Sequence, residues 1–147
     1  MPRYIKVGSA APSPRTARYS HAVEFNGLLH ITGQLPIDPA QPDAALPGTI
    51  GEQAELVFLN LSIIAEESGF KLSNCVFARI YLKNFEQDYA GFNTVYDRYF
   101  PDDDRLPART TVGISMLGRN ALVEVDLVVG ATHALKCGAF LSAAHRP

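Results

Sequence analysis

Pro107-Ala108-Arg109-Thr110-Thr111-Val112-Gly113-Ile114-Ser115-Met116-Leu117-Gly118-Arg119-Asn120-Ala121-Leu122-Val123-Glu124-Val125-Asp126-Leu127-Val128-Val129 is the stretch on which the fold turns. In its first arm Thr110, Val112, Ile114 and Met116 alternate with Arg109, Thr111, Gly113 and Ser115. Its second arm sets Val123, Val125, Leu127 and Val129 against Leu122, Glu124, Asp126 and Val128. Alternation of period two on both sides of Leu117-Gly118-Arg119-Asn120 predicts a β-hairpin. With a four-residue turn, Gly113 faces Glu124 and Arg109 lies opposite Val128. Arg109, Thr111, Gly113 and Ser115 then share one sheet face with Leu122, Glu124, Asp126 and Val128. That mixture suits a wet subunit interface or a ligand site. An exposed sheet face with scattered charges is the plainer alternative. In this register Arg109 and Glu124 stand roughly 13 Å apart along the strands. They cannot pair directly, so each needs another chain, or a ligand and water, as its partner.

Upstream, Asp102-Asp103-Asp104 look metal-like, but adjacent carboxylates without a further ligand at EF-hand spacing are expected to be solvated. Asn84, with Gln87 three residues on, can cap a helix whose stripe is Tyr89, Phe92, Tyr96 and Tyr99. Such a stripe reads as core packing. Before it, Val76, Ala78, Ile80 and Leu82 alternate with Phe77, Arg79 and Tyr81, a strand. An earlier helix starts at the Thr49…Glu52 capping-box spacing, carries Ala54, Val57, Phe58, Leu61, Ile64 and Ala65 on one face, and stops at Gly69. Pro36, Pro39, Pro42 and Pro47 make residues 35–48 a rigid loop. Ahead of that, Val23 and Phe25, then Asn26-Gly27, then Leu29 and Ile31 predict a hairpin that ends at Gly33-Gln34. A short first strand is expected within Tyr4–Val7. The order (β)ββ–α–β–α–ββ predicts an α+β domain, one sheet with two helices on one face. Residues 1–130 form this single domain and 131–147 a tail bearing Cys137, Phe140 and Leu141.

At 147 residues the chain suits one domain that needs no disulfide or metal staple. Its charged fraction is 19%, below the roughly 25% usual for soluble domains, which hints at surface hidden in an oligomer. Net charge is −2 and the pI is near 6.0. No basic field for a phosphate backbone exists, so nucleic acid is a disfavoured partner. No apolar run is long enough for a membrane-spanning helix, and Met1-Pro2-Arg3-Tyr4-Ile5-Lys6 lacks the apolar core expected of a signal peptide. Cys75 and Cys137, far apart, fit a reducing compartment, and a cytoplasmic location is expected.

His21, His30, His133 and His145 have no zinc spacing, and GxGxxG, GxxxxGK[ST] and GxSxG are all missing. Chemistry by this chain is therefore expected to need no cofactor and no metal. It must use Arg, Glu, Tyr, Thr, Asn and backbone amides.

Five segments, in order, resemble the RidA/YjgF family of enamine/imine deaminases. They are Gly33-Gln34-Leu35-Pro36, the Gln53…Asn60-Leu61 helix, Phe92-Asn93-Thr94-Val95-Tyr96, Pro107-Ala108-Arg109-Thr110-Thr111-Val112 and Leu122-Val123-Glu124-Val125. The resemblance runs from about Tyr19 to Val129. It implies a chorismate-mutase-like fold, with a mixed, mainly antiparallel sheet, and a homotrimer with sites between subunits. It implies hydrolysis of small carboxylate-bearing 2-imino or 2-enamino acids to 2-oxo acids and ammonia. By position, Arg109 matches the arginine that grips the substrate carboxylate, and Glu124 the glutamate that positions the hydrolytic water. Tyr19 matches a tyrosine of the pocket wall and Asn93 a cleft asparagine. Gly33 and Thr111 fall where backbone groups meet the ligand. Thr111 stands where many of these deaminases carry cysteine, and Thr32 where serine is common. The resemblance leaves room for a 2-aminomuconate-type substrate, for carboxylate binding without turnover, or for an RNA-acting member. From the pattern alone, Arg109 and Glu124 could equally be interface salt-bridge residues, Tyr19 packing and Asn93 a helix-end hydrogen bond.

Overall fold

The computed structural model describes residues 1–11 and 17–132. Six strands and two helices follow in the order β1 (Arg3–Ile5), β2 (Ala22–Phe25), β3 (Leu28–Gln34), α1 (Ile50–Glu67), β4 (Cys75–Leu82), α2 (Phe85–Tyr99), β5 (Ala108–Gly113) and β6 (Val123–Gly130). They form one sheet, β1-β2-β3-β6-β4-β5, in which only the β4–β5 pair is parallel. Both helices pack on the same face, where Leu29, Ile31, Ala78, Ile80, Leu82, Val123, Val125, Leu127 and Val129 are buried.

Local chemistry explains most element ends. Asn26 and Gly27 both take positive φ, 52° and 76°, as a two-residue hairpin turn requires. At the start of α1 the Glu52 N–H donates to Thr49 Oγ1 (3.3 Å), and the Thr49 hydroxyl donates to Glu52 Oε2 (2.9 Å). Gly69 ends α1 at φ +86°. The expected buried face of α1, from Ala54 to Ala65, is buried throughout. Phe58 carries the helix-to-helix contact: its ring stacks on Tyr99 at 4.6 Å and meets Phe92 and Phe100 at 6.0 Å. In the first turn of the second helix Asn84 occupies the cap position without a side-chain cap bond.

Two strands depart from the expectation. In β4 the pairing to β6 slips between Cys75 and Phe77, so Val76 is an extra residue that points outward at 47% exposure. Cys75 takes the inward place instead. At the N-terminus the strand is Arg3–Ile5 rather than Tyr4–Val7, and Val7 N–H donates to His21 Nδ1 (2.9 Å).

The larger correction concerns residues 107–129. β5 and β6 are strands, but they do not form a hairpin. β4 lies between them, parallel to β5 and antiparallel to β6. Ile114 N–H donates to Leu82 O, and Lys83 N–H donates to Leu122 O. The chain therefore leaves β5 on one side of β4 and arches over the end of β4. It re-enters as β6 on the other side. Leu82 is flanked by Gly113 and Val123, and Ala78 by Arg109 and Leu127. Arg109 is thus level with Leu127, not Val128. That one-residue difference reverses the face. Arg109, Thr111 and Gly113 lie on the helix side of the sheet. Glu124, Asp126 and Val128 share the open face with Arg79, Tyr81, Thr110 and Val112 instead.

Asp102 Oδ1 accepts from Asp104 N–H, closing a local turn. β6 ends at Gly130. The tail features Cys137, Phe140 and Leu141, with His133 and His145, lie outside the described residues.

Candidate functional site

Six residues were expected to form a site: Arg109, Glu124, Tyr19, Gly33, Asn93 and Thr111. The fold gathers them into two separate groups.

The first group surrounds Arg109, on the edge strand β5. Its Nε donates to Thr111 Oγ1 (2.9 Å), two residues along the same strand face. Its Nη2 donates to Asn93 Oδ1 (2.7 Å) on α2. The guanidinium carbon lies 4.5 Å from the Tyr96 ring centre, 5.4 Å from Phe92 and 5.6 Å from Tyr89. A guanidinium stacked on aromatic faces keeps its charge while losing orientational freedom. Residues 89, 92, 93 and 96 share one side of α2 because three- and four-residue steps do so on a helix. The cleft beside Arg109 has a volume of about 500 Å³, with Asn93, Tyr96, Phe100, Leu106 and Pro107 in its walls. Burial raises the Tyr96 hydroxyl's pKa, and the Arg109 charge opposes the shift. That keeps the phenol neutral beside the cation.

The second group lies on the open face, where β3 meets β6. The Glu124 carboxylate occupies the space a side chain at Gly33 would fill. A Cβ there would collide with Oε1 and lie 3.1 Å from Cδ. The pairing of β3 with β6 slips between Ile31 and Gln34, which brings Gly33 over Glu124. Burial, and after it the charge of Asp126, raises the Glu124 pKa above the ordinary carboxylate value. Asp126 itself is engaged by Arg79, with Nε to Oδ2 at 3.1 Å. The Thr32 hydroxyl donates to Ser20 O (2.7 Å), so the chain next to Tyr19 runs beside Gly33. Tyr19 is 36% exposed.

Arg109 and Glu124 consequently stand on opposite faces, on strands separated by β4.

The pattern of the sequence missed several supporting side chains. Phe92 and Tyr96 are core, as the stripe predicts, and face the cation as well, whereas Tyr89, also beside the cation, is exposed. A stripe facing a guanidinium has the same spacing as one facing leucines. Gln53 is buried, donates to Pro47 O (2.7 Å) and accepts from Leu122 N–H (2.8 Å), which ties the proline-rich loop to the start of β6. Arg119, at φ +55°, donates to Pro42 O (2.9 Å) and Ala44 O (2.7 Å). Only the Gly118-Arg119-Asn120 composition hinted at that turn. Cys75 offers no nucleophile, since burial pushes its thiol up to about 12. No group of His, Cys, Asp and Glu among the described residues is arranged to hold a metal, and no helix there could cross a membrane.

Residues 9–131 match the family model described as Endoribonuclease L-PSP, which is the YjgF/RidA model. The chain belongs to the RidA/YjgF family. This RidA-family chain is 40% identical over 118 residues to a RutC family protein of Aquifex aeolicus, covering 80% of the chain and 91% of the relative. It is 32% identical over 128 residues to a 2-iminobutanoate/2-iminopropanoate deaminase of Dermatophagoides farinae, covering 87% and 96%. Among solved structures it resembles yeast Mmf1, with a TM-score of 0.79, 30% identity and coverage of 89% and 99%. Its mixed six-stranded sheet with two helices is the fold of this family.

Proposed function

We propose that this RidA-family chain is a cofactor-free hydrolytic deaminase of small 2-imino and 2-enamino acids. Its site is shared between copies, with the cation supplied by one and the carboxylate by another. The observation that carries this reading is the separation of a pre-oriented Arg109 from a half-buried Glu124. Were the two in contact they would neutralise each other. Held on opposite faces, each remains available to a ligand. A contact joining one copy's β5 edge to another's open face is heterologous, and such contacts form a ring where the rotation between copies closes. A homotrimer is the proposed ring.

In the assembled site, Arg109 receives the substrate carboxylate as a planar charge-assisted pair. A 2-enamino acid first tautomerises to the imine. Water then adds to C2. Glu124 takes a proton from it as the C–O bond forms, and the C=N electron pair goes to nitrogen. That proton passes to nitrogen, giving the neutral carbinolamine; Glu124 then takes the hydroxyl proton and delivers it to nitrogen as the C–N bond breaks and C=O forms, releasing ammonia and leaving the 2-oxo acid. A carboxylate whose pKa is raised by burial is the better base for this step, because it lies nearer the working pH. The likeness to the mite 2-iminobutanoate/2-iminopropanoate deaminase supports the choice of substrate.

The test is ammonia release from 2-iminobutanoate generated in situ. Arg109→Ala is expected to lower kcat/KM by about 10²–10³-fold, the usual loss for a group that binds transition-state charge. Equal rates in wild type and variant would refute the assignment.

A further inference from the structure

We infer that Thr111 and Asn93 are positioning residues that act through Arg109, closing one edge of its fork so that a carboxylate is received end-on at the terminal nitrogens. This rests on the reading of Arg109 as a carboxylate anchor and adds the direction of approach.

A guanidinium has five N–H groups: one on Nε and two on each Nη. It can meet a carboxylate along the side edge, through Nε and Nη2, or along the end, through Nη1 and Nη2. Here Nε is committed to Thr111 Oγ1 at 2.9 Å. Nη2 gives one hydrogen to Asn93 Oδ1 at 2.7 Å. With Nε engaged, the side edge cannot offer a carboxylate both of its hydrogens. The three remaining hydrogens all sit on the terminal nitrogens. The Tyr96 ring, 4.5 Å from the guanidinium carbon, fixes the plane in which they point. Rotation of the fork is thus stopped from three directions by residues of two elements, β5 and α2.

The side chain at position 111 is what decides the edge. Its hydroxyl shares a strand face with Arg109 and reaches Nε because residues two apart on a strand stand side by side. A cysteine there is a weak acceptor and a valine none at all. Either would leave Nε without its oxygen and open the side edge to the ligand. The identity of residue 111 would then select between two orientations of the bound acid, which differ in where C2 lies relative to the anchor.

The experiment uses the full chain and the Arg109 side-chain ¹⁵N–¹H signals, assigned by their loss in Arg109→Lys. In the ligand-free protein the Nε–H of wild type and Thr111→Ser should exchange slowly. Thr111→Val should exchange at least about tenfold faster, as a lost hydrogen bond demands. On addition of 2-oxobutanoate, a stable carboxylate probe, the wild-type Nη signals should respond while Nε–H keeps its shift. In Thr111→Val the Nε–H should move as well. In turnover, Thr111→Val should raise KM more than it lowers kcat, and Thr111→Ser should restore both. Unchanged Nε–H exchange in Thr111→Val, or a wild-type Nε–H that shifts strongly with the probe, would overturn the inference. End-on binding without ammonia release would remove the deaminase reading and leave this one standing. No response of any Arg109 signal to 2-oxobutanoate would remove both.

Discussion

Gly33 lacks a side chain where the Glu124 carboxylate needs room, and the two positions have to be considered together. A methyl group at 33 would meet Oε1 head-on, so Gly33→Ala would displace the acid rather than merely stiffen the strand. Glu124 itself carries a cost. Its folded-state pKa lies above its ordinary value of 4.5 because burial disfavours the charge. A raised carboxyl pKa means the ionised form is less stable in the fold than in the unfolded chain. The penalty is absent below the unfolded pKa and is complete above the folded one. Glu124→Gln is therefore expected to unfold at a higher temperature than wild type at pH 7–8, with the difference fading as pH falls below about 4.5. The same variant should lose ammonia-releasing activity. Thermal unfolding followed across that pH range, beside the activity assay, checks both halves. Such an opposition between stability and activity is expected where a site stores an uncompensated charge.

At the scale of elements, the segment most exposed to misreading is the one between β3 and α1. Four prolines deny it regular structure, and it is held by side chains instead. Gln53 bonds Pro47 O and Leu122 N–H, Asn60 Nδ2 donates to Ile37 O (2.8 Å), and Arg119 bonds Pro42 O and Ala44 O. Gln53→Ala would leave Leu122 N–H and Pro47 O without their partners close to Glu124. It should cost about 2–4 kcal/mol in urea unfolding, the sum for two part-buried groups left unpaired. Both helix starts, the end of α1 and its buried face were legible in advance, because caps and three-to-four-residue spacing are local; for α2 the stripe named Phe92 and Tyr96 but also the exposed Tyr89. The cap at Asn84 was legible only as a position. Its side chain instead hydrogen-bonds Asp88, which partly offsets the rise that burial causes in that carboxyl's pKa. The bulge at Val76 was not legible either. A slip of pairing belongs to two strands at once, and β4 alone shows only alternation.

For the whole molecule, the decisive feature is the insertion of β4 between β5 and β6. It puts Arg109 on the helix face and Glu124 on the open face, and the proposed deaminase reading therefore calls for a site shared between copies. Mixing Arg109→Ala with Glu124→Gln, each expected to be strongly impaired alone, and allowing the subunits to exchange should restore part of the activity. Some contacts would then join an intact arginine to an intact glutamate. No recovery after exchange verified by native mass spectrometry would place both residues in a single chain's site and refute the shared arrangement. The sequence by itself determined the element types, their order, the core faces of α1 and β6, and the residues worth watching. Each of these depends on contacts within a few residues of one another, which capping groups and periodicity report directly. Only the tertiary structure decided which strands are neighbours, and hence which way Arg109 faces. Alternation has period two whatever strand lies alongside. A hairpin and a pair of strands split by a third therefore look the same until the sheet is assembled.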